Sequence, residues 1–438
     1  MTIATSGALL LSIALIAWAA VMRAVAGTWL QPAAFFALWW CVAGVAPLVF
    51  APEEPVGPHA IVWLLAASVA VSCGALAGNG GLRTRRLQSL AAPTDREVKV
   101  FGLVVLVSVA LGMGSNIAFL IGVGIPIADV LQLDRLVVVA NQLYFVRYSE
   151  NPPPPPPLAQ ALLPFVFLAP AAGGILFVLR RELRWKVLSL LAYLPAIAVT
   201  VLQTTKAAVL FALALWFSGY FATRLRLGKL AVFTTGHFVA AAVITLVVTP
   251  FFFAVAIARL ASTDIALAGG LTKKFLTYAF AHMTVFSQWL GEYMSQPFEP
   301  TLGSVTFAGP LELFGYQERI PGLFETVIEL LTGDTSNIYT AFRPLIQDFT
   351  IPGALVVLAL LGFMGGIGFR YVAAGRWSGM PLLVAAYATI FWTPITWFWI
   401  YNSLTATVLA IFMTVMFVRL WRGKQQPAPL QENHWRRS

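Results

Sequence analysis

Side chains able to bind an anion or move a proton lie close together in residues 336–349, where a long polar region runs into an apolar one. Tyr339, Arg343 and Asp348 fall in this stretch. If the residues before Pro344 are helical, Tyr339 and Arg343 share one face, while the proline pushes Arg343 towards a non-helical geometry. The stretch therefore predicts a guanidinium at a helix junction, where it could hold an anion or could serve only as an interfacial anchor.

The composition of the chain decides which elements surround this stretch. Of its 438 residues, 59% are hydrophobic and 11% are charged, and the mean hydropathy is +0.82. The apolar runs are continuous, without the alternation of barrel strands, so they predict membrane-spanning helices. We predict an all-α polytopic membrane protein in which residues 1–438 form one integral membrane domain. Cys41 and Cys73 lie in apolar runs without further ligands at metal spacing, so neither a disulfide framework nor a metal site is indicated.

Eleven apolar segments predict about eleven transmembrane helices. They lie near residues 6–22, 32–51, 60–79, 100–120, 158–179, 187–203, 206–222, 231–255, 351–369, 380–397 and 403–420. The first segment has no basic residue before it and is followed by Arg23. We therefore predict a retained helix with its N-terminus outside, not a cleaved signal peptide.

Basic residues concentrate in alternate loops, which indicates the cytoplasmic side. Beyond Arg23, these regions are residues 83–99, 180–186, 224–229, 370–376 and the tail from Arg419, and they include the charges of Glu97 and Arg226. The C-terminus is then cytoplasmic. The net charge of +10 needs no nucleic-acid partner, because basic inner loops account for it.

Two long regions face outside in this topology. Residues 121–157 end in a run of prolines that predicts a stiff polyproline strut. Residues 257–349 form the larger loop, in which residues 275–293 predict a short membrane-surface helix. The acidic hairpin around Glu53 and Glu54 predicts a short solvated connector. The halves of the chain do not match, which disfavours an inverted-repeat transporter.

Signatures of soluble enzymes, such as a phosphate-binding glycine loop or a nucleophile elbow, are absent from the sequence. Chemistry must then rest on external charged groups, and their scatter predicts no divalent metal and no other cofactor. Lys206 lies between two apolar segments joined by almost no loop. A charge there is expected to face a polar cavity or an anion, or to extend its stem to the interface. With Arg343 it could form a two-cation cradle for a phosphate group.

The stretch Asn337-Ile338-Tyr339-Thr340-Ala341-Phe342-Arg343-Pro344-Leu345-Ile346-Gln347-Asp348-Phe349 is followed by a helix with Gly353, Gly362, Gly365 and Gly366. This pattern resembles the late external motif of bacterial oligosaccharide repeat-unit polymerases, the Wzy-type O-antigen polymerases. Thr204-Thr205-Lys206 is similar to the place where those proteins often carry a small-residue turn and an Arg, with Lys standing here instead.

The resemblance implies a membrane glycosyltransferase of lipopolysaccharide or related polysaccharide synthesis. Such enzymes move a growing glycan from undecaprenyl diphosphate onto an incoming lipid-linked repeat unit, at the outer face of the bacterial plasma (inner) membrane. The implied partners are undecaprenyl-diphosphate-linked oligosaccharides, membrane lipid and a chain-length regulator protein.

The resemblance also implies roles for named residues. Cations would stabilise the leaving diphosphate, and the candidates are Arg343 and Lys206, then Arg147 and Arg135. A carboxylate or imidazole would accept the proton of the attacking hydroxyl, and the candidates in order are Asp348, Glu292 and His282. A sugar site could be lined by Tyr339, Asn337, Tyr278 and Trp289, although aromatic residues at a membrane interface also act as anchors.

Three other functions stay open at this point. An O-antigen ligase runs similar chemistry on a different acceptor and also carries a large external loop with Arg residues. A lipid-linked sugar transporter or flippase would also need outward cations, but is expected to show paired halves and more charge within its helices. A non-catalytic assembly or sensor role has no positive feature in the sequence.

Overall fold

The computed structural model describes residues 3–80, 93–147, 153–232, 234–260, 277, 279–296, 298–318, 324 and 326–422. Within these residues, nine helices are long and apolar enough to cross a membrane. A small two-stranded ribbon, β1 (Ile328–Glu329) with β2 (Thr335–Ser336), is antiparallel and pairs Ile328 with Ser336. By the length and hydropathy of its helices, the chain is a multi-pass, all-helical membrane protein.

Every predicted apolar segment coincides with helical structure. The long helices are α1 (Ile3–Ala26), α2 (Pro32–Phe50), α3 (Pro58–Asn79), α4 (Asp95–Gly122), α7 (Pro157–Leu179), α10 (Ala207–Arg226), α11 (Thr235–Leu260), α14 (Phe342–Ala373), α15 (Met380–Trp392) and α16 (Asn402–Arg422). The apolar stretches of α1 and α15 are shorter, at Ser12–Ala26 and Trp377–Trp392. Eight of these helices are candidate spans, the ninth candidate is the region Leu183–Leu202, and the count of eleven crossings stays a prediction.

Six helices are shorter: α5 (Ile127–Val130), α6 (Leu133–Arg147), α8 (Leu183–Leu191), α9 (Leu194–Leu202), α12 (His282–Ser295) and α13 (Ala308–Leu313). Helices α8 and α9 follow each other closely and together form one candidate span, Leu183–Leu202, which coincides with the predicted segment 187–203. The break between them precedes Pro195, which lies in the first turn of α9, where its missing N–H is tolerated.

Glycines let α3 and α14 pack with their backbones almost touching. A Cβ placed on Gly74 would lie 1.8 Å from the carbonyl oxygen of Ala359, and one on Gly362 would lie 2.1 Å from that of Val71. Gly78 and Gly366 repeat these approaches one turn further along each helix. Small residues at this spacing favour close helix association in lipid, where no hydrophobic effect drives it. This contact ties α14, the helix of Arg343, to the core of the bundle.

Glu97 and Arg226 are not loop charges, contrary to the prediction. Arg226 Nη2 lies 3.1 Å from Glu97 Oε1, and Trp377 Nε1 donates to the same oxygen at 2.5 Å. The second carboxylate oxygen accepts the Thr94 backbone N–H at 3.0 Å and so completes a capping box. The prediction was wrong because α4 begins before Glu97 and α10 continues to Arg226. Both side chains are therefore inside packed helices.

Two predictions for the external regions also need correction. In the predicted membrane-surface helix 275–293, residues 275, 276 and 278 lie outside the described ones; the part in α12 begins at His282, and the side chains of His282–Ser287 are buried and not on a surface. Glu54 is not a solvated connector residue, since it is 6% exposed. Its carboxylate accepts the backbone N–H groups of Leu331 at 3.2 Å and Thr332 at 3.0 Å. The α2–α3 connection therefore holds the turn between β1 and β2.

Candidate functional site

The backbone turns sharply just before Arg343. Thr340 has a φ of 65°, a left-handed conformation that is strained for a β-branched residue and that clusters at functional sites. Its Oγ1 accepts the Phe342 N–H at 3.3 Å, and the Ala341 N–H donates to the Thr393 carbonyl at 2.7 Å. Helix α14 then starts at Phe342. Tyr339 therefore precedes the helix, and the condition that one helix carries both Tyr339 and Arg343 is not met.

Arg343 is helical, which also differs from the prediction. Phe342 is the first residue of α14, so Pro344 lies in the first turn. Backbone N–H groups in the first turn make no intrahelical hydrogen bond, so a proline there does not break the helix. The helix is then interrupted at Thr350, whose φ is 62° and ψ is 176°. Arg343 is thus carried by a short helical segment at the mouth of a longer apolar one.

The Arg343 guanidinium lies in a corner formed by Phe324 and Tyr339. Its central carbon is 3.8 Å from the Phe324 ring centre and 3.9 Å from that of Tyr339. The two rings meet edge to face, with centres 5.4 Å apart. Trp289 lies further away, at 5.5 Å. Arg343 is only 8% exposed, so its charge is held among aromatic rings.

Two donor atoms of this guanidinium are unused. Arg343 Nε and Nη1 are buried, and neither finds a hydrogen-bond acceptor within the described part of the chain. A buried donor without a partner costs about 1–3 kcal/mol, and more when it is charged. Such an arrangement is expected where an anionic ligand supplies the missing acceptors.

Asn337 and Tyr339 hold the aromatic corner in place. Asn337 Nδ2 donates to the Phe324 carbonyl at 3.1 Å, and the Tyr339 hydroxyl donates to the Thr326 carbonyl at 2.8 Å. Burial raises the pKa of the Tyr339 phenol, although the nearby charge of Arg343 opposes the shift. The phenol therefore stays a donor. The predicted role of both residues in binding sugar remains untested, and their polar groups contact the protein itself.

Helix α12 brings Trp289 and Glu292 to the same site. They are three residues apart and so lie on one helical face. Trp289 is 6% exposed, whereas Glu292 is exposed and lies within electrostatic range of both Arg343 and Tyr339. Of the predicted acidic groups, Glu292 is thus the one that is both near Arg343 and open to solvent.

Asp348 is fully buried, and its carboxylate already accepts hydrogen bonds from other residues of the protein. Its carboxylate accepts the Thr301 hydroxyl, the Val305 N–H at 3.4 Å and the Thr306 N–H at 2.5 Å. These contacts fasten the loop before α13 to α14. With both carboxylate oxygens engaged by protein donors, Asp348 has a clear role in holding a loop.

His282 is buried beneath the site. Its Nε2 lies 3.1 Å from the Ala43 carbonyl oxygen, and burial lowers its pKa to about 4 against the opposing effect of the Ala43 and Ala279 carbonyls. The imidazole is therefore neutral at ordinary pH and joins α12 to α2.

Two of the other predicted site residues have contacts elsewhere, and two lie outside the described residues. Lys206 precedes α10, and its ammonium is 6.0 Å from the Phe252 ring of α11. Arg135 is exposed and pairs with Asp129 at 2.6 Å. Arg147 ends α6, with its side chain outside the described residues, and Tyr278 lies outside them altogether. The two-cation cradle of Lys206 and Arg343 stays a prediction.

Several residues that position the site were missed in the sequence. The Gly57 N–H donates to Ser287 Oγ at 2.8 Å, and His59 Nε2 lies 2.7 Å from the Ser287 carbonyl oxygen. These contacts attach α12 to the start of α3, as Glu54 attaches the β1–β2 turn. Phe324 was also missed, because no local spacing relates it to Arg343. Among the described residues, no group of three or more Asp, Glu, His or Cys could hold a metal ion.

Comparison with known proteins identifies no relative: no family model, no curated protein and no solved structure matches the chain.

Proposed function

We propose that the protein is a glycosyltransferase that polymerises undecaprenyl-diphosphate-linked oligosaccharide repeat units at the outer face of the bacterial inner membrane, for O-antigen or a related surface polysaccharide. The observation that carries this proposal is the buried Arg343 guanidinium, two of whose donors have no acceptor among the described residues. A guanidinium presents its N–H groups in a planar fork that matches phosphate oxygens. A diphosphate would supply the acceptors that the described residues do not.

In the proposed reaction, the bond between the anomeric carbon of the donor glycan and its phosphate oxygen breaks. A hydroxyl of the incoming repeat unit forms the new glycosidic bond to that carbon. The electron pair of the broken bond leaves on undecaprenyl diphosphate, where Arg343 would stabilise the developing negative charge. The hydroxyl proton would pass to a carboxylate.

For that carboxylate the contacts favour Glu292 over Asp348. Glu292 is exposed and lies within electrostatic range of Arg343, whereas three donors already occupy Asp348. His282 is neutral but enclosed, and its Nε2 is directed at a backbone carbonyl. We therefore propose Glu292 as the first candidate for the general base and Asp348 as the second. The resemblance had placed Asp348 before Glu292.

The proposal is tested by reconstituting purified protein into vesicles with a lipid-linked repeat unit and following both glycan length and release of undecaprenyl diphosphate. Polymer made with stoichiometric release supports polymerisation. Transfer that occurs only when a lipid A–core acceptor is supplied identifies a ligase. Movement of the intact lipid-linked sugar across the bilayer without a new glycosidic bond identifies a flippase. Either of these last two results overturns the proposal.

A matched pair of variants connects the activity to the site. Arg343→Ala removes the buried cation, while Arg184→Ala removes an exposed one that is paired with Glu182. We expect loss of polymerisation only in Arg343→Ala. In cells lacking the native gene, the same variant should leave glycans with one repeat unit, whereas long unligated chains would indicate a ligase.

A further inference from the structure

Four basic side chains converge where α7 and α10 end. We call Arg181, Lys186, Arg224 and Lys229 the basic cluster. Lys186 lies within electrostatic range of Arg181 and Lys229, and Lys229 within range of Arg181 and Arg224. The four residues come from the α7–α8 connection, from α8, from the last turn of α10 and from the α10–α11 connection. Chain segments far apart in sequence thus bring like charges together.

The cluster has no acidic counterpart, although its neighbours do. Arg180 is paired with Asp95, and Arg184 lies 2.8 Å from Glu182. In contrast, no carboxylate of the described residues lies within ion-pair distance of any member of the cluster. Like charges held together repel, and burial and the charges of Arg181 and Arg224 lower the pKa of Lys229. An anion bound between them would remove this repulsion.

Two members of the cluster are fixed in position. Lys186 Nζ donates to the Phe177 carbonyl and lies over the Phe177 ring at 3.4 Å. Arg224 Nη1 donates to the Tyr220 hydroxyl at 3.1 Å, and its Nη2 to the Ala231 carbonyl at 2.7 Å. Arg224 Nε is buried and finds no hydrogen-bond partner among the residues that the structure describes. Cations that are held in place, with a donor still unused, are suited to a specific ligand.

A hydrogen-bonded chain supports Arg224 from the start of α11. The Tyr220 oxygen lies 3.0 Å from His237 Nε2, and Thr234 Oγ1 lies 2.6 Å from His237 Nδ1. Because Tyr220 accepts from Arg224, its own proton is directed to His237 Nε2, which leaves Nδ1 to donate to Thr234. The imidazole is thus used in its neutral form and adds no further positive charge to the cluster.

The surroundings of the cluster indicate which kind of anion it takes. Large apolar side chains beside it are exposed to the region that lipid would fill: Leu183 is 77% exposed and Val187 45% on α8, and Phe238 is 62% exposed at the start of α11. Basic pockets bordered by apolar helix faces at a membrane boundary bind anionic headgroups. A free phosphate would make no use of these apolar surfaces.

We propose that the basic cluster binds the phosphate headgroup of an anionic phospholipid, with its acyl chains against the exposed apolar faces of α8 and α11. This site is separate from Arg343 and does not depend on the proposed glycosyltransferase activity. If these basic residues served only to set the topology, removing any two of the cytoplasmic cations would weaken the binding of anionic lipid equally. That difference provides the test.

The test uses full-length protein in a neutral detergent and fluorescent phosphatidylglycerol as the probe. Arg224→Gln combined with Lys229→Gln removes two members of the cluster, and Arg184→Gln combined with Arg376→Gln removes two cations outside it. Each cation near an anionic lipid surface contributes on the order of a fivefold change in affinity. We expect the cluster variant to bind about 25-fold more weakly, at roughly fivefold per cation, and the control pair to bind as wild type does.

Three results would overturn the inference: an equal loss in the control pair, equal affinity for a zwitterionic phosphatidylcholine probe, or displacement of the lipid by inorganic phosphate at the same concentration as by unlabelled lipid. The last result would assign the cluster to free phosphate. Thermal unfolding of each sample identifies a variant that fails to fold. Arg224→Lys, which keeps the charge, is then used instead and should retain most of the wild-type affinity.

Discussion

The guanidinium carbon of Arg343 lies 3.9 Å from the centre of the Tyr339 ring, although Tyr339 precedes the helix that carries Arg343. The left-handed turn at Thr340 brings the two side chains together. The hydroxyl of Tyr339 is at the same time directed to the Thr326 carbonyl. One tyrosine thus contacts the cation with its ring and holds the Phe324–Thr326 backbone with its oxygen.

If Arg343 stabilises the leaving diphosphate, Arg343→Ala should lower turnover about a hundredfold or more, which is roughly 3 kcal/mol, as for loss of one donor to a developing oxyanion. Arg343→Lys should recover only part of this, because an ammonium lacks the planar fork. Turnover is measured with purified protein at equal abundance, with Arg184→Ala as the control. Wild-type turnover in Arg343→Ala would remove this residue from the site.

Glu292 and Asp348 should respond differently to loss of charge. Glu292 is exposed, so Glu292→Gln should leave thermal unfolding unchanged while lowering turnover by a hundredfold or more, in the range typical of a lost general base. Asp348→Asn should instead destabilise the fold by about 1–3 kcal/mol, because an amide cannot accept from all the donors that surround the carboxylate.

Both properties are measured on both variants. Normal turnover in Glu292→Gln, together with an inactive but normally stable Asp348→Asn, would return the role of the base to Asp348.

The sequence predicts what depends on local chain properties. Hydropathy and length identify all the apolar segments that form helices, because each span must satisfy its own backbone hydrogen bonds in lipid. The stretch around Arg343 could also be recognised as a candidate site from the sequence, because its polar residues lie next to an apolar run. The contact between Tyr339 and Arg343 was expected, but for the wrong reason, because a turn and not a helix produces it.

Contacts between segments that are distant in sequence could not be predicted from local chain properties. Nothing near Phe324 in the sequence indicates that it will cover Arg343. Likewise, Glu54 looks like a solvated acidic residue until the backbone N–H groups of Leu331 and Thr332 are placed against it. Glu97 and Arg226 were placed in loops because helix ends are the least certain part of a hydropathy pattern.

The stability of the protein should depend on the protonation of His282. Its pKa in the folded protein is about 4, below the ordinary value of about 6.5 for an unfolded chain. The unfolded state therefore binds a proton first as pH falls, so stability is fully present above about pH 6.5 and is lost progressively towards pH 4. His282→Gln cannot titrate and should lack this slope. Thermal unfolding from pH 4 to 7 measures it, and identical slopes would contradict the prediction.

The proposed orientation can be tested by chemical labelling. In a background without Cys41 and Cys73, a cysteine introduced at Ser304 should react with an impermeant reagent added outside the cell. A cysteine at Ser378 should react only after the membrane is opened. These positions lie on opposite sides in the topology set by the basic loops, and labelling of both from one side would refute it.

Loss of the buried Glu97–Arg226 pair should cost much more than loss of an exposed pair. Glu97 and Arg226 side chains are 2% and 4% exposed, and Glu97→Gln removes the carboxylate charge that faces the buried guanidinium, a change that typically costs about 3–5 kcal/mol. The matched control is Glu182→Gln, since Glu182 pairs with Arg184 at 2.8 Å but both side chains are exposed. Exposed pairs contribute at most about 1 kcal/mol. Thermal unfolding of the two variants in the same detergent provides the comparison, and similar losses in both would show that the buried pair does not hold α4 to α10.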